Sequence, residues 1–396
     1  MLRHRVRVIV ATTALVCAVV TADALSPTAA VAAPAAAPNA QVQVFGWGQN
    51  SWGQLGDGTT TERRTPVPVT ALPADTRQVA GGGDFGVALL ADGTVETWGA
   101  NYVGQLGDGT TDSRVIPAAV AGLPWITQVS AGDWHALALD TDGNVWAWGD
   151  NVRGQLGDGS TEGRLSPERV AGLTGFVQVS AGARFGLGLR SDGTVWAWGA
   201  NDYGQLGDGT TDDSAVPRQV AGLAAITQVA GAFGGNHSMA LRADGTVWAW
   251  GSGGYGQAGD GNTAQFVLAP VQVAGLTGAT QIVAGEGSSY AVADGRLWAW
   301  GGNYFGQLGD GTRDDRAVAA PVAGLDGIVQ AASGYSQAAV VRSDGTLWTW
   351  GANFSGAQGT GEDAPFTTSP AKVPVPAGVT QVALGFSFDL ALVGSG

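Results

Sequence analysis

The chain has 396 residues, of which 44% are hydrophobic and only 13% charged, with 65 glycines and 15 tryptophans. That balance excludes an intrinsically disordered chain and points to a folded one with many tight turns. The formal net charge of −14, with Lys372 as the only lysine, excludes the cationic footprint that nucleic acid or an anionic membrane surface requires.

Residues 1–32 read as a secretory signal peptide. Arg3, Arg5 and Arg7 precede an apolar stretch from Val8 to Val20, and Ala-x-Ala sites follow at Ala22–Ala24 and Ala30–Ala32. The apolar stretch is too short to span a bilayer. Residues 33–40 form an Ala/Pro-rich spacer. The sole cysteine, Cys17, lies within the signal, so the mature chain is expected to lack disulfides and thiolate chemistry. Cleavage removes three arginines and one aspartate, taking the charge from −14 to −16. The expected location is extracellular, with no membrane insertion.

From residue 41 to 394 one motif recurs, Trp-Gly-x-Asn-x-x-Gly-Gln-Leu-Gly-Asp-Gly. Its Trp-Gly pairs begin at Trp47, Trp98, Trp148, Trp198, Trp250, Trp300 and Trp350. A near-constant period of this size means a repeat architecture, because one such unit cannot bury its own apolar face. Within the second full unit, Thr127–Ser130 predicts a short strand and His135–Leu139 a second one. Asp142-Gly143 predicts a tight hairpin turn into a third strand over Asn144–Trp148. After a loop from Asn151 to Gly159, Ser166–Val170 predicts an edge strand that tolerates Pro167. Alternation then places Leu137, Leu139, Trp146 and Trp148 on one face and Ala136, Ala138 and Ala147 on the other.

The ends complement one another. Gln43–Gly48 is the return-strand half of a repeat, and Gln381–Ala383 with Phe388–Leu392 is the opening half. Together they make one blade, which removes the exposed edge. The prediction is an all-β fold, a seven-bladed β-propeller of four-stranded blades whose ring is closed by pairing of the N- and C-terminal strands.

The segments Val129-Ser130-Ala131-Gly132-Asp133-Trp134-His135-Ala136-Leu137 and Trp148-Gly-x-Asn-x-x-Gly-Gln-Leu-Gly159 resemble the signature of the regulator of chromosome condensation repeat family. The resemblance implies the same propeller. It also implies guanine-nucleotide exchange, which a secreted chain does not suit. In context the chain is more similar to secreted bacterial propellers such as the type II β-lactamase inhibitor proteins. That resemblance implies binding of a partner enzyme by one face.

No Ser-His-Asp spacing, phosphate loop or metal-ligand spacing occurs, and no catalytic, cofactor-binding or metal residue is assigned. His135 and His237 are read as structural residues that bond neighbouring backbone. The recurring loop aspartates (Asp57, Asp108, Asp158, Asp208, Asp260, Asp310) are read as turn chemistry rather than Ca²⁺ ligands, since no second carboxylate recurs with each. The arginines six residues later are read as ion-pair partners or as stems covering a tryptophan.

What breaks the repeat is the better lead to function. Strand parity puts the Gly-x-x loops and the Trp-Gly loops on one propeller face and the Asp-Gly turns on the other. The irregular residues of the first face are Tyr102, Trp134, Arg153, Arg184, Phe233, Asn236, Tyr304, Tyr335, Phe354 and Phe386, and they are the candidate partner-binding surface. Trp52, Tyr203, Tyr255 and Phe305 recur beside the loop glycine and are read as packing. The expected function is a non-enzymatic monomer that binds an extracellular protein or glycan, with inhibition of a secreted or cell-wall enzyme as one form of it. The alternative is an extracellular hydrolase or lyase with carboxylates in the central channel.

Overall fold

The computed structural model describes residues 42–394; the signal peptide and spacer expected from the sequence over residues 1–40 lie outside the described residues. Twenty-eight strands, numbered β1–β28 in chain order, form seven four-stranded antiparallel sheets. Blades 1 to 6 follow the chain, from β3 (Thr76–Gly81) to β26 (Phe366–Lys372). Blade 7 is the closure blade, in the order β2 (Arg63–Pro68), β1 (Val42–Gly48), β28 (Phe388–Gly394), β27 (Val379–Leu384). In it Val42 pairs with Gly394 and Gly48 with Phe388, so the two chain halves complete one sheet.

Blade 2 shows how a unit is built. It contains β7 (Ile126–Ala131), β8 (His135–Asp140), β9 (Val145–Gly149) and β10 (Arg164–Arg169). The hairpin between β8 and β9 corrects the sequence reading. Two central residues, Asp142 and Gly143, would have paired Leu139 with Trp146. Instead the turn runs from Asp140 to Gly143, with Gly143 N–H donating to Asp140 O at 3.1 Å and Gly143 at φ +73°. Leu139 therefore pairs with Val145, Leu137 with Ala147 and Ala136 with Trp148. Directly paired residues share a face. The leucines and tryptophans thus project to opposite faces, each with a small residue beside it.

That arrangement sets the inter-blade core. The leucine face of blade 2 (Leu137, Leu139, Val145) packs with Trp198 of blade 3, while Trp148 packs with Phe85, Val87 and Leu89 of blade 1. All seven Trp-Gly tryptophans are fully buried. Each indole is also hydrogen-bonded to the preceding blade: Trp148 Nε1 donates to Gln105 O at 2.9 Å, Trp198 to Gln155 O at 2.9 Å and Trp47 to Ala357 O at 2.8 Å. The loop glycine beside that contact leaves room for the ring; a Cβ on Gly107 would lie 2.8 Å from Trp148 Nε1.

A second lock circles the axis. Each innermost strand would present an unpaired edge to the channel. A glutamine from the preceding blade covers it. Gln178 Nε2 donates to Val229 O at 2.8 Å and its Oε1 accepts from Val229 N–H at 3.0 Å. The same two bonds join Gln78 to Val129, Gln128 to Val179, Gln228 to Ile282, Gln281 to Ala331 and Gln330 to Val382. Gln381 closes the circle on Val79 across the ends of the chain.

Candidate functional site

The Trp-Gly loops are rigid because their polar groups are committed internally. Asn151 Oδ1 accepts from Leu156 N–H at 2.9 Å, and its Nδ2 reaches Asp158, Ser160 and Glu162. Asp158 Oδ1 accepts from Ser160 N–H and Oγ, and Oδ2 pairs with Arg164 at 2.7 Å. Partial burial pulls the Asp158 carboxyl upward, but the Ser160 bonds and the Arg164 charge outweigh it and hold the group below its ordinary value. The arginine six residues on makes this ion pair at Asp57, Asp108, Asp158 and Asp310. At Asp208 the partner is Arg218 instead.

His135 and His237 open strands β8 and β16 (His237–Arg242) and are fully buried. Neither bonds the backbone as expected from sequence. Both ring nitrogens of His135 lack a partner, while His237 Nε2 lies 2.9 Å from Ser289 Oγ. Burial pushes their pKa values down to about 4 and about 3, so both are neutral imidazoles in the core.

On the loop face the Gly-x-x and Trp-Gly loops meet. Tyr102, from a Trp-Gly loop, packs against Trp134, from a Gly-x-x loop, with ring centroids 5.4 Å apart. Trp52 also abuts Tyr102, edge-on at 5.1 Å, giving a strip of three rings across blades 7, 1 and 2. Burial, then the neighbouring Asp84 carboxylate, pushes the Tyr102 hydroxyl up to about 12. Near the axis Tyr335 stacks on Phe386 at 4.2 Å, and Phe305 sits edge-on to both Tyr304 and Phe354. Arg153 is tied to Asp202 and Asp213, whereas Arg184 is exposed beside Asp133. Burial lifts the Asp133 carboxyl to about 6, against a backbone bond from Gly234 and the Arg184 charge, with Glu286 adding to the rise.

Two placements differ from the sequence reading. Phe233, expected on the face, is only 7% exposed and lines the central channel. The two extra residues of its loop let the chain turn inward, where Gly234 lies against Tyr335. Conversely Trp52 and Tyr255, read as packing, are exposed on the face. Position beside the loop glycine does not by itself bury a ring.

The face carries a large depression, a cleft of about 970 Å³ over the loops of blades 3 to 6. Asn236 and Tyr304 line it, with Tyr203, Tyr255 and Arg313. Asn236 Oδ1 accepts from Gln205 Nε2 at 3.3 Å. The central channel is much smaller, about 170 Å³, and its lining is glutamine, serine, glycine and apolar side chains. No Asp or Glu is among those lining residues.

A family model described as the RCC1-like domain matches residues 29–282, and the regulator of chromosome condensation (RCC1) repeat matches residues 294–341. The chain belongs to the RCC1-like domain family. This RCC1-like propeller superposes on Prp20p of Saccharomyces cerevisiae with a TM-score of 0.80 at 25% identity, covering 90% of this chain and 92% of that one. The solved Prp20p work describes binding to Gsp1p and histones. Human WBSCR16 matches with a TM-score of 0.79 at 25% identity, over 89% of this chain and 98% of the other. Among curated proteins, the ultraviolet-B receptor UVR8 of Arabidopsis thaliana is 35% identical over 80 residues, which is 20% of this chain and 18% of the receptor. The probable E3 ubiquitin-protein ligase HERC4 of Homo sapiens is 37% identical over 83 residues, 8% of its length. The RCC1-like chain thus aligns with under a fifth of these curated relatives.

Proposed function

We propose that this RCC1-like protein is a secreted, non-catalytic propeller that holds an extracellular macromolecule on its loop face. The observation that carries the reading is the Trp52–Tyr102–Trp134 strip, three rings from three consecutive blades with Tyr102 in contact with both tryptophans on a rigid surface. Rigid, clustered aromatic side chains are the usual anchors of a protein interface, because little side-chain entropy is lost on binding. The acidic chain favours a neutral or basic partner surface. The RCC1-like relative Prp20p binds proteins, and the resemblance to secreted inhibitor propellers adds a secreted or cell-wall enzyme as the form of partner.

The test is capture from the producer's secretome and cell-wall fraction on the immobilised mature chain, alongside the triple variant Trp52→Ala, Tyr102→Ala, Trp134→Ala. The wild type retains a discrete partner and the triple variant loses it. An unchanged set of captured proteins on the triple variant removes the strip from the interface.

A further inference from the structure

The cleft over blades 3 to 6 has a lining that selects a ligand chemistry. Its apolar surface consists of rings only, those of Tyr203, Tyr255, Tyr304 and Phe305; no Leu, Ile, Val or Met lines it. An acyl chain or apolar peptide would be met by aliphatic side chains as well as rings. The rest of the lining is amide, carboxylate, hydroxyl, one guanidinium and bare glycine backbone. Flat apolar faces set among planar hydrogen-bonding groups match a ligand that is itself apolar on its ring faces and polar around its rim.

The rings are held in place before any ligand arrives. Tyr255 lies against the glycines of the next blade: a Cβ on Gly287 would sit 3.3 Å from its ring, and one on Gly302 3.5 Å. Its outer side stays open, with the residue 58% exposed. Tyr304 is 67% exposed and is pinned by Arg313, whose guanidinium carbon lies 4.8 Å from the ring centroid. Arg313 Nε also donates to Tyr304 O at 2.7 Å. Pre-set rings lower the ordering cost of binding.

One amide donor in this cleft has no acceptor from the protein. Gln307 is 4% exposed and lines the cleft, its Oε1 accepting from Phe305 N–H at 2.9 Å. In other blades the Nε2 of the matching glutamine is satisfied: Gln54 donates to Asp84, Gln155 to Asp150 and Gln257 to Ser252. In blade 5, Gly302 stands where Asp150 and Ser252 stand in theirs, and the Ser336 hydroxyl is turned to Glu286. Gln307 Nε2 therefore makes no hydrogen bond among the described residues. Gln105 Nε2 also lacks a partner, but it is sealed from solvent, whereas Gln307 opens on the cleft. An amide donor that faces the cleft without a protein acceptor is free to donate to a ligand oxygen.

We propose that this cleft is a binding site for a neutral, hydroxyl-rich oligosaccharide. Sugar rings stack on the open sides of Tyr255 and Tyr304, and ring hydroxyls accept from Gln307 Nε2 and donate to the Glu286 carboxylate. Glu286, Asp314 and Asp315 outnumber Arg313 in the lining, so uronic acids and sulfated glycans are repelled. The site shares the loop face with the Trp52–Tyr102–Trp134 strip but uses other blades and does not depend on the strip's role.

The experiment is isothermal titration of the mature protein with cellohexaose, xylohexaose, mannohexaose and hexa-N-acetylchitohexaose, with hexagalacturonate and hexalysine as charged controls. At least one neutral probe binds, and Tyr255→Ala and Tyr304→Ala each weaken it by about tenfold, the loss of one stacked ring. Gln307→Met weakens it as well; melting curves confirm that each variant is folded. No neutral probe bound at millimolar concentration overturns the proposal, as does binding that survives the Tyr255→Ala, Tyr304→Ala double variant. Preferential binding of hexagalacturonate or hexalysine overturns it too. Because the strip is intact in the cleft variants, loss of sugar binding with retained protein capture separates the two readings.

Discussion

Replacing Gln178 with methionine tests the axial lock. The two side chains are similar in length and volume, so the exchange removes hydrogen bonds without opening a cavity. Gln178 is 1% exposed and makes both bonds to Val229, at 2.8 Å and 3.0 Å. In Gln178→Met the Val229 N–H and C=O face the channel edge unpaired. Each stranded group costs about 1–3 kcal/mol, giving about 2–6 kcal/mol for the pair. Unfolding a propeller of about 350 residues carries an entropy of about 0.7 kcal/mol/K, so the melting temperature falls by about 3–8 °C. Differential scanning calorimetry reads the shift directly. Gln381→Met, whose partner Val79 lies across the chain ends, gives a similar loss. A variant that melts at or above the wild-type temperature would refute the claim that these amides stabilise the ring.

Three further outcomes follow from the core. Trp148→Ala loses both the indole volume between blades 1 and 2 and the bond to Gln105 O, and costs about 3–5 kcal/mol by chemical denaturation. His135 titrates at about 4 in the fold, below the ordinary histidine value, so the unfolded chain takes up a proton first as pH falls. Its contribution is present above pH ~6.5 and is lost progressively towards pH ~4. His135→Phe, which copies Phe85 and Phe185 at the same repeat position, flattens that part of the stability profile; a profile that keeps its slope removes His135 as the cause. Asp389 is fully buried opposite Trp47, bonded by Gln337 Nε2 at 2.8 Å, and burial raises its pKa well above the usual carboxylate value. Stability is therefore lost as pH rises above the unfolded carboxylate value. Asp389→Asn raises the melting temperature at pH 8 and leaves it unchanged at pH 3; equal effects at both values refute a titrating carboxyl.

The ring was legible from the Trp-Gly spacing, and its closure from the two half-repeats at the ends. The facing of individual side chains was not. It hinges on whether the Asp142-Gly143 hairpin has two central residues or a longer turn ending in a left-handed glycine, and that one-residue difference moves Leu137 to the sheet face opposite Trp148. The glutamine lock left a visible trace, the Gln that recurs before Val or Ile in first strands such as Gln128-Val129. A polar residue in a strand reads as solvent-facing until the neighbouring blade supplies its partner. The loop face was placed by strand parity, and the aromatic contacts of Tyr102 and Trp134 agree with that placement. Phe233 was misplaced because an insertion can fold towards the axis as readily as outward. Gln307 was missed because its distinction is an absent acceptor in two other loops.

The pairing of Val42 with Gly394 fixes a direction of attachment. That pair occupies the place of an Asp-Gly hairpin, so both described ends leave the disc on the side away from the cleft and the aromatic strip. A tag, a fluorophore or a solid support joined at either end holds the disc with its loops turned outward. A permuted chain opened at Asp192-Gly193, with residues 42 and 394 bridged, would keep the same handle side while moving the seam to another blade.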